Sequence, residues 1–405
     1  MQPVTLILLS AAFVCEGDAG GSAARPASKA VAKPLPEMLT ISWRRGPDLP
    51  QGFQDSDGGI MAGTLVSVGG FCSGQKNVPG KPDKYPRGFL KKVWGLPLAN
   101  DRSRWLELPD FPGAARQGLD AISIADTLYC WGGFSYSPPH CYRDGYQLSR
   151  GRDGWRWRSL PPLPWALTAQ GSCAIGSKIY VVGGADYDGE KGFYTLSDRH
   201  GRVKRLGARL LIFDTNRPED GWQERRPCPG TPRFVHAVAA VAGKVYVLGG
   251  ATGSDNAESG TFTVVDNWVY QPEKNEWTAL PDLPVASGNF PSGRVVFADR
   301  YILLVGGYQY GKVMTPRGQT RPIYGRPTRH DPKNAMCSDI FVFDTQTGIF
   351  GRASPLPLNN NLPMTVLAGA QLHLIGGEVG SAVIDGQQYG HHPELYLIGS
   401  IEKAK

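Results

Sequence analysis

Residues 244–253 read KVYVLGGATG, an alternating run of valine and tyrosine that stops on Gly249 and Gly250. β-branched and aromatic residues favour a strand, whereas a glycine pair is a poor way to continue one. The same event recurs at LVSVGG (Gly69), LYCWGG (Gly132), IYVVGG (Gly183), ILLVGG (Gly306) and LHLIGG (Gly376), which makes six copies. Successive first glycines stand 63, 51, 66, 57 and 70 residues apart, the spacing of one small β unit repeated with insertions.

An aromatic residue followed by a proline-rich turn precedes every glycine pair: SWRRGPDLP (Trp43), RWLELPDFP (Trp105), RWRSLPPLP (Trp157), GWQERRPCPGTP (Trp222), EWTALPDLP (Trp277) and IFGRASPLP (Phe350). From aromatic to next glycine pair the distance is 26 to 29 residues, but from glycine pair to next aromatic it runs from 25 to 44. The length variation therefore lies in one part of the unit. Alternation divides each unit into four short strands: one after the proline turn, one ending in Gly-Gly, a third such as RLLIFD or IFVFD, and a fourth carrying the aromatic. Proline ends strands because it lacks the ladder donor. The glycine pair lets the backbone turn through positive φ or approach a neighbour closely.

The glycine pairs, the spaced aromatics and the polar turns IADT, IGSK, VAGK, FADR and LAGA between the first two strands of a unit resemble the kelch repeat. The resemblance spans residues 39–400 and implies a β-propeller of four-stranded blades. After Gly376 only the strand ELYLIGS remains, so the last blade is one strand short, while LTISWRRG at 39–46 is a surplus strand placed like a fourth one. The expected fold is all-β: a single six-bladed kelch-type propeller, its last blade closed by the amino-terminal strand 39–46, which removes an open edge.

The chain carries a formal charge of +7, with 41% hydrophobic residues, ten tryptophans and 52 glycines, a globular composition. VTLILLSAAFV (4–14) reads as the apolar part of an export signal over 1–15, followed by a small-residue and proline linker over 16–38. A secreted or periplasmic location is expected, with membrane attachment only through lipidation of Cys15. Six further cysteines form no CxxC, and Cys130 with Cys141 is the pair whose spacing invites a disulfide. The absence of any Asn-x-Ser/Thr acceptor fits a bacterial exported protein.

With four antiparallel strands per blade, the loop entering the first strand and the loop joining the second to the third emerge on one face, and that face carries every insertion. Variable loops on a rigid scaffold are where binding sites concentrate. The blade-five insertion contributes Lys312, Arg317, Arg321, Arg326, Arg329 and Lys333 against Asp331 alone, which favours an anionic ligand or is simply a solvated run. Near the starts of the inner strands stand Arg116, Gln170, Arg233, His236, Asn289 and Asn361, with Glu378 directly after the last glycine pair. Such residues either line a ligand site or satisfy backbone groups of the turns. Tyr187, Tyr194, Tyr308, Tyr310 and Tyr324 are available to stack on sugar faces. The expected ligand set is Arg116, Gln170, Arg233, Asn289, Tyr308, Arg326, Arg329 and Asn361.

No cofactor is called for. Adjacent His391 and His392 would point apart in an extended chain, and no Cys/His/Asp spacing suits a metal. Nucleic acid is a poor match because prolines and acidic loops interrupt the basic residues.

Among exported kelch proteins, LPWALTAQGSCAIGSKIYVVGGADYDG, the long blade-five insertion and LIGGE resemble the N-acetylneuraminate epimerases, or sialic acid mutarotases. That resemblance implies an isomerase acting on an acidic sugar. The family's catalytic glutamate follows the blade-four glycine pair, where this chain has Ala251, so Glu378 and His236 are the expected catalytic groups instead. The competing expectation is a non-catalytic, monomeric module that holds a protein or surface polysaccharide through its long loops.

Overall fold

The computed structural model describes residues 34–74, 84–99, 103–253, 261–285, 287–288, 290, 293–308, 312–314, 320–322, 336–379, 382–384, 387–389 and 391–404. Pro36–Lys405 form one compact unit. The expected export signal and most of the linker lie outside the described residues.

The architecture is all-β, a propeller-like set of small sheets with two short 3₁₀ turns among the described residues. Asp57–Met61, Thr64–Val68, Val93–Pro97 and Leu106–Leu108 make one four-stranded antiparallel sheet. Three more follow in chain order, beginning at Gln117–Ile124, Gly171–Ile175 and Ala237–Val241. The remaining short strands form a further four-stranded sheet and three two-stranded ones, beside an eight-stranded sheet in the order Val296–Phe297, Tyr301–Val305, Ile340–Asp344, Ile349–Ala353, Glu37–Arg45, Tyr396–Lys403, Gln371–Ile375 and Met364–Ala368. In it the amino-terminal strand runs antiparallel to Tyr396–Lys403 from Leu39↔Lys403 to Arg45↔Leu397. It also meets Ile349–Ala353 in a short parallel pairing. The first strands of the units pack side by side: Asp57–Met61 against Met364–Ala368 and Gln117–Ile124, then Gly171–Ile175, Ala237–Val241 and Val296–Phe297 in turn.

The glycine pairs do what the sequence requires of them. Gly249 and Gly250 have φ of +62° and +101°, and the other five pairs repeat these values closely. A Cβ on Gly250 would stand 2.6 Å from the His236 Cβ and 2.8 Å from the Phe234 carbonyl. The second strand ends there because the chain must turn left-handed against the entry of the first strand.

That entry holds a feature with no glycine signature. Asp55, Gly118, Ala169, Val235 and Leu362 occupy equivalent positions, each with φ between +47° and +61°. For a residue with a Cβ this region costs about 1–2 kcal/mol. What it gains is a backbone belt: Asp55 N–H donates to the Leu362 carbonyl (3.1 Å), Gly118 to Asp55 (3.2 Å), Ala169 to Gly118 (2.8 Å), Val235 to Ala169 (2.9 Å) and Phe290 to Val235 (3.3 Å). Each of these bonds ties one unit to its neighbour at the inner rim.

A second set of ties runs around the outside and explains the aromatic-proline motif. The indole Nε1 of Trp105 donates to Pro47 O, Trp157 to Pro109 O and Trp43 to Pro355 O, all at 2.9 Å. Trp222 reaches Pro161 O at 3.4 Å and Trp277 reaches Arg226 O at 2.8 Å. Each bond joins the fourth strand of one unit to the turn that ends the preceding unit. Phe350 has no N–H to offer and is buried against Phe343 at 4.7 Å.

Among the first strands, Arg294 reaches Asp57 Oδ2 (2.6 Å), Asp120 Oδ1 (3.3 Å) and the Ala121 carbonyl. Asp57 Oδ2 also accepts the Ala121 N–H at 2.7 Å. A fifth-unit residue is thereby bound to the first and second units. Beside it a cavity of ≈ 420 Å³ is lined by residues such as Gly59, Ser123, Ala174, Ala240, Val296 and Leu367, toward the short-turn end of the inner strands. The long-loop face therefore does not own the whole central space.

The suspected Cys130–Cys141 disulfide is absent. Cys72, Cys130, Cys141, Cys173, Cys228 and Cys337 are free and buried. Cys130 packs with Val66, Val68 and Leu128, whereas Cys141 packs with Phe134 and Tyr187, so flanking one loop places the two thiols in different clusters.

Two outcomes follow from these contacts. Gly250→Ala, forced to keep positive φ with no room for its methyl, loses about 3 kcal/mol in chemical denaturation, and a loss under about 1 kcal/mol contradicts the crowding. Burial pushes the Asp55 carboxyl up to about 7 despite its bond from Gln117, and burial also raises Asp120 against the pull of Arg294. Unfolded aspartates titrate near ~4, so the folded chain holds extra protons between about pH 4 and 7, and the stability these groups contribute is lost as pH rises through that window. Asp120→Asn should therefore gain stability relative to the unaltered chain between pH 5 and 8, and a constant difference in urea midpoints contradicts this.

Candidate functional site

At the long-loop end, the residue after each glycine pair bridges a residue at or just ahead of the first strand of its unit. The pairs are Gln54↔Phe71, Gln117↔Phe134, Thr168↔Ala185, Phe234↔Ala251, Gly288↔Tyr308 and Asn361↔Glu378. One register therefore presents Phe71, Phe134, Ala185, Ala251, Tyr308 and Glu378 around the mouth, and the sixth unit alone places an acid there.

The wall over the first four units is aromatic. Phe71 meets Phe89 edge-on at 5.1 Å, Phe89 meets Tyr136 at 4.8 Å, Phe134 meets Tyr187 at 4.8 Å, and Phe193 stacks on Phe234 at 4.9 Å. Ala251 is fully buried with Ala185 and Phe234. A carboxylate at that position would have to displace this apolar packing.

Across the mouth the chemistry is polar. Glu378 Oε2 accepts Asn361 Nδ2 at 3.0 Å, and Glu378 Oε1 lies 2.7 Å from His391 Nε2. Burial alone would raise the Glu378 carboxyl, but His391 and Asn361 outweigh it and hold the group below the usual carboxylate range. The Tyr308 hydroxyl is pushed upward by burial and by the nearby Glu378 charge. His392 is almost fully buried, its Nδ1 accepting the Ser73 N–H at 2.9 Å. Burial and the neighbouring His391 push it down to about 3, so its ring stays neutral at neutral pH. The seam between the sixth and first units is thus the polar sector of the rim.

His391 and His392 do not point apart. Their rings stack at 4.7 Å and 25°, and with Glu378 their donor atoms fall within 4.8 Å of one another. The reason is backbone: Val379 N–H donates to the His391 carbonyl at 2.9 Å, and the chain bends where an extended strand was expected. These donors are already committed, His392 Nδ1 to Ser73 and His391 Nε2 to Glu378.

Of the sequence-nominated residues, Glu378, Asn361 and Tyr308 come together. Arg116 and Arg233 serve the blade walls instead of presenting free guanidinium groups. Arg116 holds Ala114 O, Gly132 O and both Asp144 oxygens, with its guanidinium 3.8 Å over the Tyr142 ring. Arg233 repeats this one unit pair later, holding Thr231 O, Gly249 O, Asp266 O and Asp266 Oδ2. Gln170 is buried and donates to Trp131 O at 3.1 Å. His236, expected to work beside Glu378, is sealed into the fourth unit's wall next to Gly183 and Gly250. Burial and then Arg233 push it down to about 3, so it exchanges no proton near neutrality. Tyr187 is buried among aromatics, and the Tyr194 hydroxyl donates to Asp188 Oδ2 at 2.7 Å. Asn289, Arg326, Arg329, Tyr310 and Tyr324 lie outside the described residues. Reading the sequence gives no sign of Ser73 and sets His391 and His392 aside as diverging, since only folding brings the three to Glu378.

Comparison with known proteins agrees with this architecture. Residues 232–284 match the Kelch motif, and the chain as a whole resembles kelch propellers. More particularly, it is similar to the N-acetylneuraminate epimerase of Haemophilus influenzae (strain 86-028NP), 23% identical over 82% of this chain and 87% of that protein. The N-acetylneuraminate epimerase of Pasteurella multocida (strain Pm70) is also 23% identical, over 82% of this chain and 88% of that protein. A solved structure titled "Structure of YjhT" shares the fold with a TM-score of 0.59 at 16% identity, covering 86% of this chain and 95% of that one.

Arg233→Ala would strand Asp266 as a buried unpaired charge, which costs about 3–5 kcal/mol in chemical denaturation. A variant of unchanged stability would return Arg233 to the list of ligand groups.

Proposed function

We propose that this chain is an exported, six-bladed propeller, closed by its amino-terminal strand, that binds a small acidic sugar at the long-loop mouth and interconverts its anomers. The pairing of Glu37–Arg45 with Tyr396–Lys403 supports counting the eight-stranded sheet as two blades joined edge to edge. The belt, passing from Leu362 to Asp55, supports the closed ring. The export reading rests on VTLILLSAAFV and the linker after it.

The observation that carries the function is the hydrogen-bonded set Asn361, Glu378 and His391, facing an aromatic wall at one rim. Anomer interconversion requires a proton to leave the anomeric hydroxyl and another to reach the ring oxygen as the ring C–O bond breaks. A carboxylate–imidazole pair supplies that traffic, and aromatic faces suit the C–H surfaces of a sugar. The similarity to N-acetylneuraminate epimerases supports an acidic ketose as substrate. With Ala251 at the fourth unit's position, this reading puts the chemistry on Glu378 and His391 of the sixth.

NMR exchange spectroscopy on N-acetylneuraminate should show faster anomer exchange with the protein than without it, and Glu378→Ala should slow that exchange at least ~10-fold. Exchange unaffected by the unaltered protein rejects catalysis and leaves a binding module.

A further inference from the structure

We propose that His391, through Nδ1, is the group that takes the anomeric proton, and that Glu378 is a positioning residue which holds His391 in the working tautomer. This rests on the isomerase reading above.

The geometry carries the assignment. Glu378 Oε1 accepts from His391 Nε2 at 2.7 Å. In a neutral imidazole only one nitrogen bears hydrogen, so a proton fixed on Nε2 leaves Nδ1 with a free lone pair. Glu378 is itself held from the far side by Asn361, giving the order amide, carboxylate, imidazole in which the last member meets the substrate. Exposure agrees: the His391 side chain is 43% exposed and that of Glu378 19%. A carboxylate kept below its usual range is also a weak base for a sugar hydroxyl.

His392 completes the arrangement without sharing the role. Because Ser73 N–H donates to its Nδ1, its own proton sits on Nε2, and its ring packs face to face with His391. That stack limits rotation of His391 about its side-chain bonds.

The step balances without any co-reactant besides water. His391 Nδ1 accepts the proton of the anomeric hydroxyl, whose oxygen forms the open-chain carbonyl as the ring C–O bond breaks. The imidazolium returns that proton through a water to the former ring oxygen, and closure on the other carbonyl face reverses the sequence.

The test compares His391→Gln, His391→Ala and Glu378→Gln by exchange NMR on N-acetylneuraminate, with folding checked by circular dichroism. His391→Gln should lose about 100-fold or more in exchange rate, while Glu378→Gln, whose amide oxygen still accepts from Nε2, keeps at least about a tenth of it. Free imidazole should restore exchange to His391→Ala at least ~10-fold, a response a purely structural histidine would not give. The proposal is overturned if Glu378→Gln loses more than His391→Gln, or if imidazole restores nothing. Those results leave the isomerase reading intact, whereas an unaltered protein that fails to speed exchange removes both.

Discussion

The inner belt of backbone hydrogen bonds is the constraint on which the rest of the molecule depends. Asp55, Gly118, Ala169 and Val235, each held in left-handed conformation, give one amide to a neighbouring unit and one carbonyl to the other; Leu362 and Phe290 stand at the two ends of the described belt. Four of the five described positions carry a Cβ, and Val235 is β-branched, so the local backbone preference is overridden repeatedly. The conformation persists because the alternative is to bury unpaired peptide groups at the axis, at about 1–3 kcal/mol each. The glycine pairs serve the same geometry, since a side chain there would occupy the space through which the belt passes.

Around this hub the ties are distributed by radius. Tryptophan-to-carbonyl bonds lock the periphery, and Arg294 with Asp57 and Asp120 crosses the centre. The fifth unit has the weakest periphery of its own, with a two-residue first strand and Phe350 in place of a donor. It is also the unit that sends Arg294 across to the first and second. The central ion cluster sets two buried carboxylates, Asp57 and Asp120, on one guanidinium, and with Asp55 close enough to feel the Asp57 charge the stability of the hub is sensitive to pH.

A rigid hub lets the rim differ from unit to unit. The same register carries alanine in the third and fourth units, tyrosine in the fifth and glutamate in the sixth. The residue at this position can therefore change from unit to unit at little structural cost, because each is presented by the same bridge. The polar sector falls where the last unit meets the first, with Ser73 on one side and Glu378 and His391 on the other.

The repeated unit, the strand count within it and the place of the insertions are all legible in the residues, because glycine pairs and tryptophan-proline turns answer backbone demands that act within one unit. Glu378, Asn361 and Tyr308 are nominated there too, from their positions beside those signals. Which way the nominated side chains face is settled by packing: Arg116, Arg233 and His236 turn into the walls because their partners come from the turns and strands beside them. The left-handed Asp55, Ala169, Val235 and Leu362 carry no compositional mark, since what stabilises them is a peptide group in the next unit. Likewise His391 and His392 were read as diverging until a bond from Val379 bent the chain and stacked them beside the carboxylate. Local patterns record what a residue requires of its own backbone, whereas a site assembled across units records which distant groups share one small, partly dry space.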